Sequence, residues 1–355
     1  MGSTIRDVAR LAGVSASTVS GVLSGKASNV RVSAATAERV RNAAATLAYR
    51  PNAAARGLRT AQTRTIGVIA RTMLHPFIAE LLRSVSAECR ARGYHMLVGH
   101  AEHDSTEGWM LGDILSGDRV DGILLLGDVL AVSDKKRREQ MERIVASHHH
   151  VVTMSSHPSV VGEPAVLVDN ERGIQMALQH LLAQGHRSIG YVSQPLGPES
   201  WEDQQRRGAY RRFLAANSLP YTAASEVLVT GQLGPMVRSV QELLARPDRP
   251  TAVLVIPDVL ALVFLKAALM CGLRVPDDLS VVGFDDVPFA SLTSPGLTTV
   301  RQPVESMGHY AAGALLDRIA SDLQGAPVAF EPAADSTVVF PPTLVVRESV
   351  CPRRS

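Results

Sequence analysis

Three cysteines, Cys89, Cys271 and Cys351, are spread over 355 residues. Their odd number and wide spacing give neither a disulfide framework nor a metal-ligand pattern, and they read as reduced thiols. No stretch reaches the roughly eighteen consecutive apolar residues of a transmembrane helix. The opening MGSTIRDVAR has no apolar leader core, so a cytoplasmic protein with no membrane partner is expected. Catalytic motifs are equally scarce. The strand-like IGVIARTMLHPF is not followed by G-x-G-x-x-G, and the chain has neither the phosphate loop G-x-x-x-x-G-K-[ST] nor the nucleophile elbow G-x-S-x-G. The run His148-His149-His150 offers imidazoles, but three adjacent side chains on a regular element cannot all face one ion. Asp285 and Asp286 form a carboxylate pair, yet they follow a strand, where neighbouring side chains diverge, so at most one faces a cleft. Neither an enzyme, a cofactor nor a metal site is implied.

The N-terminal sixty residues are far more informative. TIRDVARLAGVSASTVSGVLSG has the layout of a helix-turn-helix, the small device that places a helix in the DNA major groove. Thr4 caps a first helix, with Asp7 completing a capping box. Ile5, Val8, Ala9 and Ala12 share one face at helical spacing. Gly13 suits the left-handed residue that ends such a helix. Ser15 caps a second helix, which turns Val19, Val22 and Leu23 inward and leaves Ala16, Ser17, Ser20 and Gly21 outward. Ser33 opens a third, running to about Ala48, with Val40, Ala44 and Leu47 buried.

Charge supports the same reading independently. Residues 1–62 carry nine Lys or Arg against two acids, whereas the remainder carries 27 bases against 32 acids. The overall net charge of +2 therefore hides a basic head on a mildly acidic body. Such a head attracts phosphate through counterion release, which makes its binding steeply salt-dependent.

Length leaves room for a body of two lobes beside the small head. Hydrophobic residues make up 46% and charged ones 20%, as in an ordinary globular protein. From Thr65 onward, short apolar runs (TIGVIA, HMLVGHA, GILLLG, HVVTMSS, AVLVDN, SIGYVS, AVLVIP and LSVVGFDD) alternate with stretches of helical period. Among the latter are PFIAELLRSVSAECRARG, GIQMALQHLLAQG and VLALVFLKAALMCG. Alternation of this kind predicts an α/β body of parallel sheets flanked by helices. The pattern restarts near residues 181–187, suggesting a second lobe of the same design. A ligand site is then expected in the cleft between lobes, beyond the carboxyl ends of the strands.

Head and body together resemble the lactose-repressor (LacI/GalR) family of bacterial transcription regulators along essentially the whole chain. The resemblance rests on TIRDVARLAGVS-x-x-TVS at 4–20, YRPNAAARGL at 49–58, IGVI at 66–69, HPF at 75–77, VDNERG at 168–173, HLLAQGHRSI at 180–189, VVGFDD at 281–286 and LTTVRQP at 297–303. It implies a periplasmic-binding-protein-like body and a homodimer or tetramer. It further implies binding to double-stranded operator DNA governed by a sugar-like small-molecule effector. Expected divisions are a headpiece at 1–50, a hinge at 51–62 and a body at 63–355. Within the body, an N-lobe comprises about 63–186 and 303–333, and a C-lobe about 187–302 and 334–349.

Carried over residue by residue, the resemblance assigns Thr4, Ser15, Ala16, Ser17, Thr18, Ser20, Gly21, Asn29, Tyr49, Asn52, Ala55, Leu58 and Arg59 to DNA. Ala16 and Ser17 sit where relatives read base edges; their short side chains suit a thymine methyl or one hydroxyl bond, not bidentate guanine recognition. At Gly21 many relatives present a larger side chain. Asn52–Leu58 matches the hinge helix, in which Ala54 and Ala55 permit close approach to the partner's hinge. Leu58 either wedges into the central base step or packs on the body, and Arg59 follows the adjacent phosphates.

To the effector the resemblance assigns His75, Phe77, Asp169, Trp201, Gln205, Arg206, Asp258, Phe284, Asp285 and Gln302. Asp169 either accepts ligand hydroxyls or caps the following helix, Phe77 either borders the cleft or joins the core, and Trp201 either stacks on a sugar or covers the lobe edge. Two departures stand out: Gln205 occupies the position of the usual sugar-binding arginine, with Arg206 next to it, and Pro257 replaces an asparagine. Two other classes compete with a regulator, namely a sugar-binding protein without a regulatory role and an enzyme carrying a DNA-binding head.

Overall fold

In the computed structural model, the described residues are 3–24, 32–49, 62–70, 73, 75–100, 119–127, 139, 142–143, 146–148, 150–154, 165–194, 200–222, 225–231, 233–324 and 337–353. The chain divides into Met1–Thr63 and Arg64–Ser355.

In the first unit, α1 (Ile5–Ala12), α2 (Ala16–Ser24) and α3 (Ala34–Thr46) share a small core. The Thr4 side chain accepts from the Asp7 amide while the Asp7 carboxylate accepts from the Thr4 amide, closing a capping box. Gly13, at φ 63° and ψ 41°, ends α1 in the left-handed region that costs glycine least. Ser15 Oγ accepts from the Thr18 amide at 3.1 Å, and Ser33 Oγ from the Thr36 amide at 3.2 Å. Each helix thus begins on a side-chain cap that meets an otherwise orphaned donor. Val8, Ala9, Ala12, Val19, Val40, Ala43 and Ala44 are buried together, with Ile5, Val22, Leu23, Leu47 and Tyr49 packed around them. The third helix stops at Thr46, slightly before the expected Ala48, which itself turns to φ 46°.

The second unit holds two six-stranded sheets. The first has the order β11-β5-β4-β3-β1-β2, with β1 Thr65–Ala70, β2 His95–His100, β3 Gly122–Leu126, β4 Val151–Met154, β5 Ala165–Val168 and β11 Thr337–Phe340. Its pairings are all parallel. The second has the order β12-β10-β9-β8-β6-β7, with β6 Ile189–Ser193, β7 Glu226–Leu228, β8 Ala252–Ile256, β9 Ser280–Asp285, β10 Thr298–Arg301 and β12 Thr343–Val345. Here β12 runs antiparallel to β10, an exception to the expected all-parallel sheets. The central strands β3, β4, β6, β8 and β9 are buried at every residue, as runs of Val, Ile and Leu between two helical layers should be.

Helices α4 (Pro76–Ala91) and α9 (Val304–Gln324) cover the first sheet; α5 (Asn170–Ala183), α6 (Trp201–Ala216), α7 (Leu233–Leu244) and α8 (Asp258–Met270) cover the second. Ile174, Ala177, Leu178 and Leu181 of α5 lie in one core with Ile189, Tyr191 and Val300 of the second sheet. Two expected lobe boundaries are therefore corrected: the first crossing falls at 168–170 instead of near 186, because the apolar stripe of α5 faces β6 and β10. The last falls at 341–342, because β11 pairs with β5 before β12 joins β10. A further crossing, at 302–304, links β10 to α9. No helix among the described residues is long and apolar enough to cross a membrane.

Candidate effector site and nucleic-acid interface

The three crossings bring together side chains that are far apart in the chain. His75 precedes α4, Asp285 ends β9, Gln302 follows β10 and Arg206 projects from α6. Asp285 is only 7% exposed and Gln302 only 4%. Gln302 Nε2 donates to Asp285 Oδ1 at 2.7 Å, and His75 Nε2 stands 3.8 Å from Asp285 Oδ2. Three buried atoms of this group have no hydrogen-bond partner: His75 Nδ1, Asp285 Oδ2 and Gln302 Oε1. An unsatisfied buried polar atom costs about 1–3 kcal/mol, which singles out this cluster as the candidate site.

Electrostatics define the site further. Burial, and then the neighbouring Arg206 charge, hold the His75 imidazolium off to a pKa of about 4, so the ring is neutral near pH 7. Burial raises the Asp285 carboxyl, against the opposing pull of Arg206 and the hydrogen bond from Gln302. Arg206 is itself held on three sides. Its Nε donates to Asn170 Oδ1 at 2.7 Å, its Nη2 lies 3.7 Å from Glu202, and its guanidinium stacks 4.6 Å above the Phe284 ring.

Asp285 and Asp286 do point apart, although β9 ends at Asp285 and Asp286 lies beyond it. Asp286 turns away to accept from Arg301 Nε at 2.6 Å and Arg347 Nη2 at 2.7 Å. Both residues have positive φ, 129° and 58°, which two successive non-glycine residues seldom adopt. Conformations of this kind cost on the order of 1–3 kcal/mol each and persist where surrounding contacts over-determine them.

Several sequence expectations are altered. Of the two neighbouring residues expected at the effector, Gln205 is exposed and Arg206 is the one that faces inward. Phe284 is fully buried in the core, where it serves as the platform under Arg206 and is not a cleft wall. Asp258 is also fully buried. Its carboxylate accepts from Thr299 Oγ1 at 2.7 Å and from the Val287 amide at 3.1 Å, so it fastens the turn after β9 and does not line an open surface. Asp169 caps α5, accepting from the Arg172 amide at 2.9 Å. Phe77 packs half-buried against the first core, its ring edge-on to His75 with centroids 6.4 Å apart, and Trp201 is half-buried at the start of α6. The sequence reading missed Asn170, Thr299 and Arg347; Asn170 lies inside the quoted VDNERG motif and was open to notice.

In the headpiece, Thr4 and Ser15 are engaged as caps, and Ser15 Oγ also lies 2.7 Å from Ser17 Oγ and 2.9 Å from Thr18 Oγ1. Ser17 is exposed and Ser20 and Gly21 are half-exposed. Ala16, expected to face outward, packs half-buried against the small core, because it is the first residue of α2 and lies close to α1. Tyr49 packs there as well. Arg6, Arg10, Arg39 and Arg41 are exposed. Asn29, Asn52, Ala55, Leu58 and Arg59 lie outside the described residues.

Comparison with known proteins agrees with this fold. The family described as "Bacterial regulatory proteins, lacI family" matches residues 4–52, and "Periplasmic binding protein-like domain" matches 178–350. The HTH-type transcriptional repressor PurR of Erwinia tasmaniensis is 33% identical over 354 residues, covering 98% of this chain and 97% of that protein. The ribose operon repressor of Escherichia coli is 33% identical over 318 residues, covering 89% of this chain and 93% of that one. Among solved structures, the lac repressor dimer bound to operator and the anti-inducer ONPF superposes with a TM-score of 0.81 at 26% identity, covering 99% of this chain and 100% of that one. A complex of the transcriptional regulator CelR with cellobiose gives 0.69 at 30% identity, covering 98% and 99%.

Proposed function

The chain belongs to the LacI family of bacterial regulatory proteins, and from that premise we propose that it is a transcriptional repressor whose grip on operator DNA is set by a small polyhydroxylated effector. In this reading the basic helix-turn-helix unit and the segment 51–62 bind a near-palindromic operator in a dimer, in the cytoplasm. The effector occupies the cleft bordered by His75, Arg206, Asp285 and Gln302. The observation that carries the effector assignment is the convergence of three partnerless buried atoms, His75 Nδ1, Asp285 Oδ2 and Gln302 Oε1. A carboxylate oxygen and an amide oxygen accept from hydroxyls, and a neutral imidazole either accepts or donates, a set suited to a sugar or sugar derivative.

The same geometry favours binding over turnover. Of the carboxylate pair, Asp286 is spent on Arg301 and Arg347, which leaves Asp285 without a second carboxylate to share acid–base work. Because an effector acts only through its differential affinity for two states, the test separates affinity from response. Asp285→Ala is expected to abolish the change in operator binding that cell extracts or candidate sugars produce, while leaving effector-free operator affinity nearly unchanged. A normal response would remove Asp285 from the pocket, and turnover of the added sugar would replace the regulator reading with an enzymatic one.

A further inference from the structure

Asp286 faces away from the site just described, yet both of its carboxylate oxygens are engaged. One carboxylate oxygen accepts from Arg301 Nε at 2.6 Å and the other from Arg347 Nη2 at 2.7 Å, and the carboxylate is largely buried beneath them. Arg301 is the last residue of β10, immediately before the crossing through Gln302 and Pro303 into α9. Arg347 follows β12, just after the crossing at 341–342, and is anchored in turn: Nη1 donates to the Leu297 carbonyl at 2.7 Å and its amide to Thr298 Oγ1 at 2.9 Å. The crossing at 168–170 meets the one at 341–342 separately, where the Asp169 amide donates to the Phe340 carbonyl at 2.9 Å.

Two of the three connections between the lobes, at 302–304 and 341–342, therefore have an arginine on the same side of them bound to one strained turn, and the neighbouring residue of that turn is Asp285. We propose that Asp286, held between Arg301 and Arg347, is a positioning residue that ties movement of the pocket carboxylate to these two crossings. Positive φ at both 285 and 286 is a conformation that persists where surrounding contacts over-determine it. A shift of Asp285 on meeting a ligand is passed through Asp286 to two arginines, Arg301 directly before the crossing at 302–304 and Arg347 beyond the short strand that follows the crossing at 341–342. Charge-assisted, two-sided gripping suits this role because it is strong and directional. The meaning of the device rests on the effector reading above, but its mechanical content does not.

Hydrogen–deuterium exchange on the full chain, with neither DNA nor effector present, tests it. In Asp286→Asn, amides in 283–288, 299–304 and 340–348 are expected to exchange about threefold or more faster together, with α4 and α7 unchanged. Arg301→Gln and Arg347→Gln should each reproduce the pattern, and Asp286→Glu, which keeps the charge, should restore much of the protection. Faster exchange confined to 283–288 would make Asp286 a local turn residue and overturn the proposal, as would unchanged exchange or a uniform rise across both lobes. Should Asp286→Asn not fold, Arg347→Lys, which keeps the charge but loses the fork, carries the same comparison. Because no ligand is used, failure here leaves the effector reading standing, and failure of that reading leaves this coupling measurable.

Discussion

Asp258 and Asp285 are two buried carboxylates on adjacent elements. Burial, and then the Asp285 charge, push Asp258 from 3.8 to about 7, while burial pushes Asp285 in the same direction. A carboxyl whose folded pKa lies above its unfolded value stabilises the fold when protonated, and that contribution is lost as pH rises from the unfolded pKa through the folded one. Relative to Asp258→Asn, the unaltered protein should lose stability between about pH 4 and pH 7 and then level off, on the order of a few kcal/mol in all. Urea unfolding at a series of pH values measures the difference; parallel curves would contradict it. Gly283 sits against the same group, where a Cβ would overlap the Asp258 carboxylate and crowd Leu297 and Thr299. Gly283→Ala is therefore expected to destabilise by about 1–3 kcal/mol, read from the same unfolding curves. At this scale the sequence was legible in residue type more than in direction. Asp285, Gln302 and His75 lie together in the fold with Arg206 facing inward beside them, whereas Gln205 is exposed and Phe284 and Asp258 are fully buried. Facing depends on helix phase and on which strand neighbour turns in, and positive φ at 285 and 286 obeys no periodicity.

The elements repeat this contrast. Buried central strands such as GILLL and AVLVI announce themselves, since both faces meet helices and every residue is apolar. The short edge strands β7, β11 and β12 did not stand out, being three or four residues long and half-buried. Their strand character comes from the neighbour they pair with. Caps were the most legible local feature, because Thr4, Ser15 and Ser33 each act through their own side chain on the next turn. Thr4→Ala should cost α1 about 0.5–2 kcal/mol, seen as faster amide exchange over residues 5–12 of the full chain. Gly13→Ala, which forces a Cβ into the left-handed region at φ 63°, should add about 1–2 kcal/mol of cost in the same measurement. Unchanged exchange in either variant would mean that packing on Val8, Ala9 and Ala12 alone fixes the helix.

For the whole molecule, the division of charge decides more than its sum. A net charge of +2 predicts little, but nine bases against two acids in residues 1–62 place the positive field on the unit that holds the helix-turn-helix. In the proposed operator reading, the segment 51–62 is the remaining element and Leu58 the wedge between base steps. Leu58→Ala is expected to weaken operator binding by about 1–3 kcal/mol while sparing effector binding, and equal loss of both would refute the hinge assignment.

The central claim is that this regulator reads a specific operator through its basic head, and footprinting on DNA flanking its own gene at two salt concentrations tests it most directly. The account predicts protection of a near-palindrome about two helical turns long that weakens steeply as salt rises. Weak, uniform protection without a bounded site would contradict it.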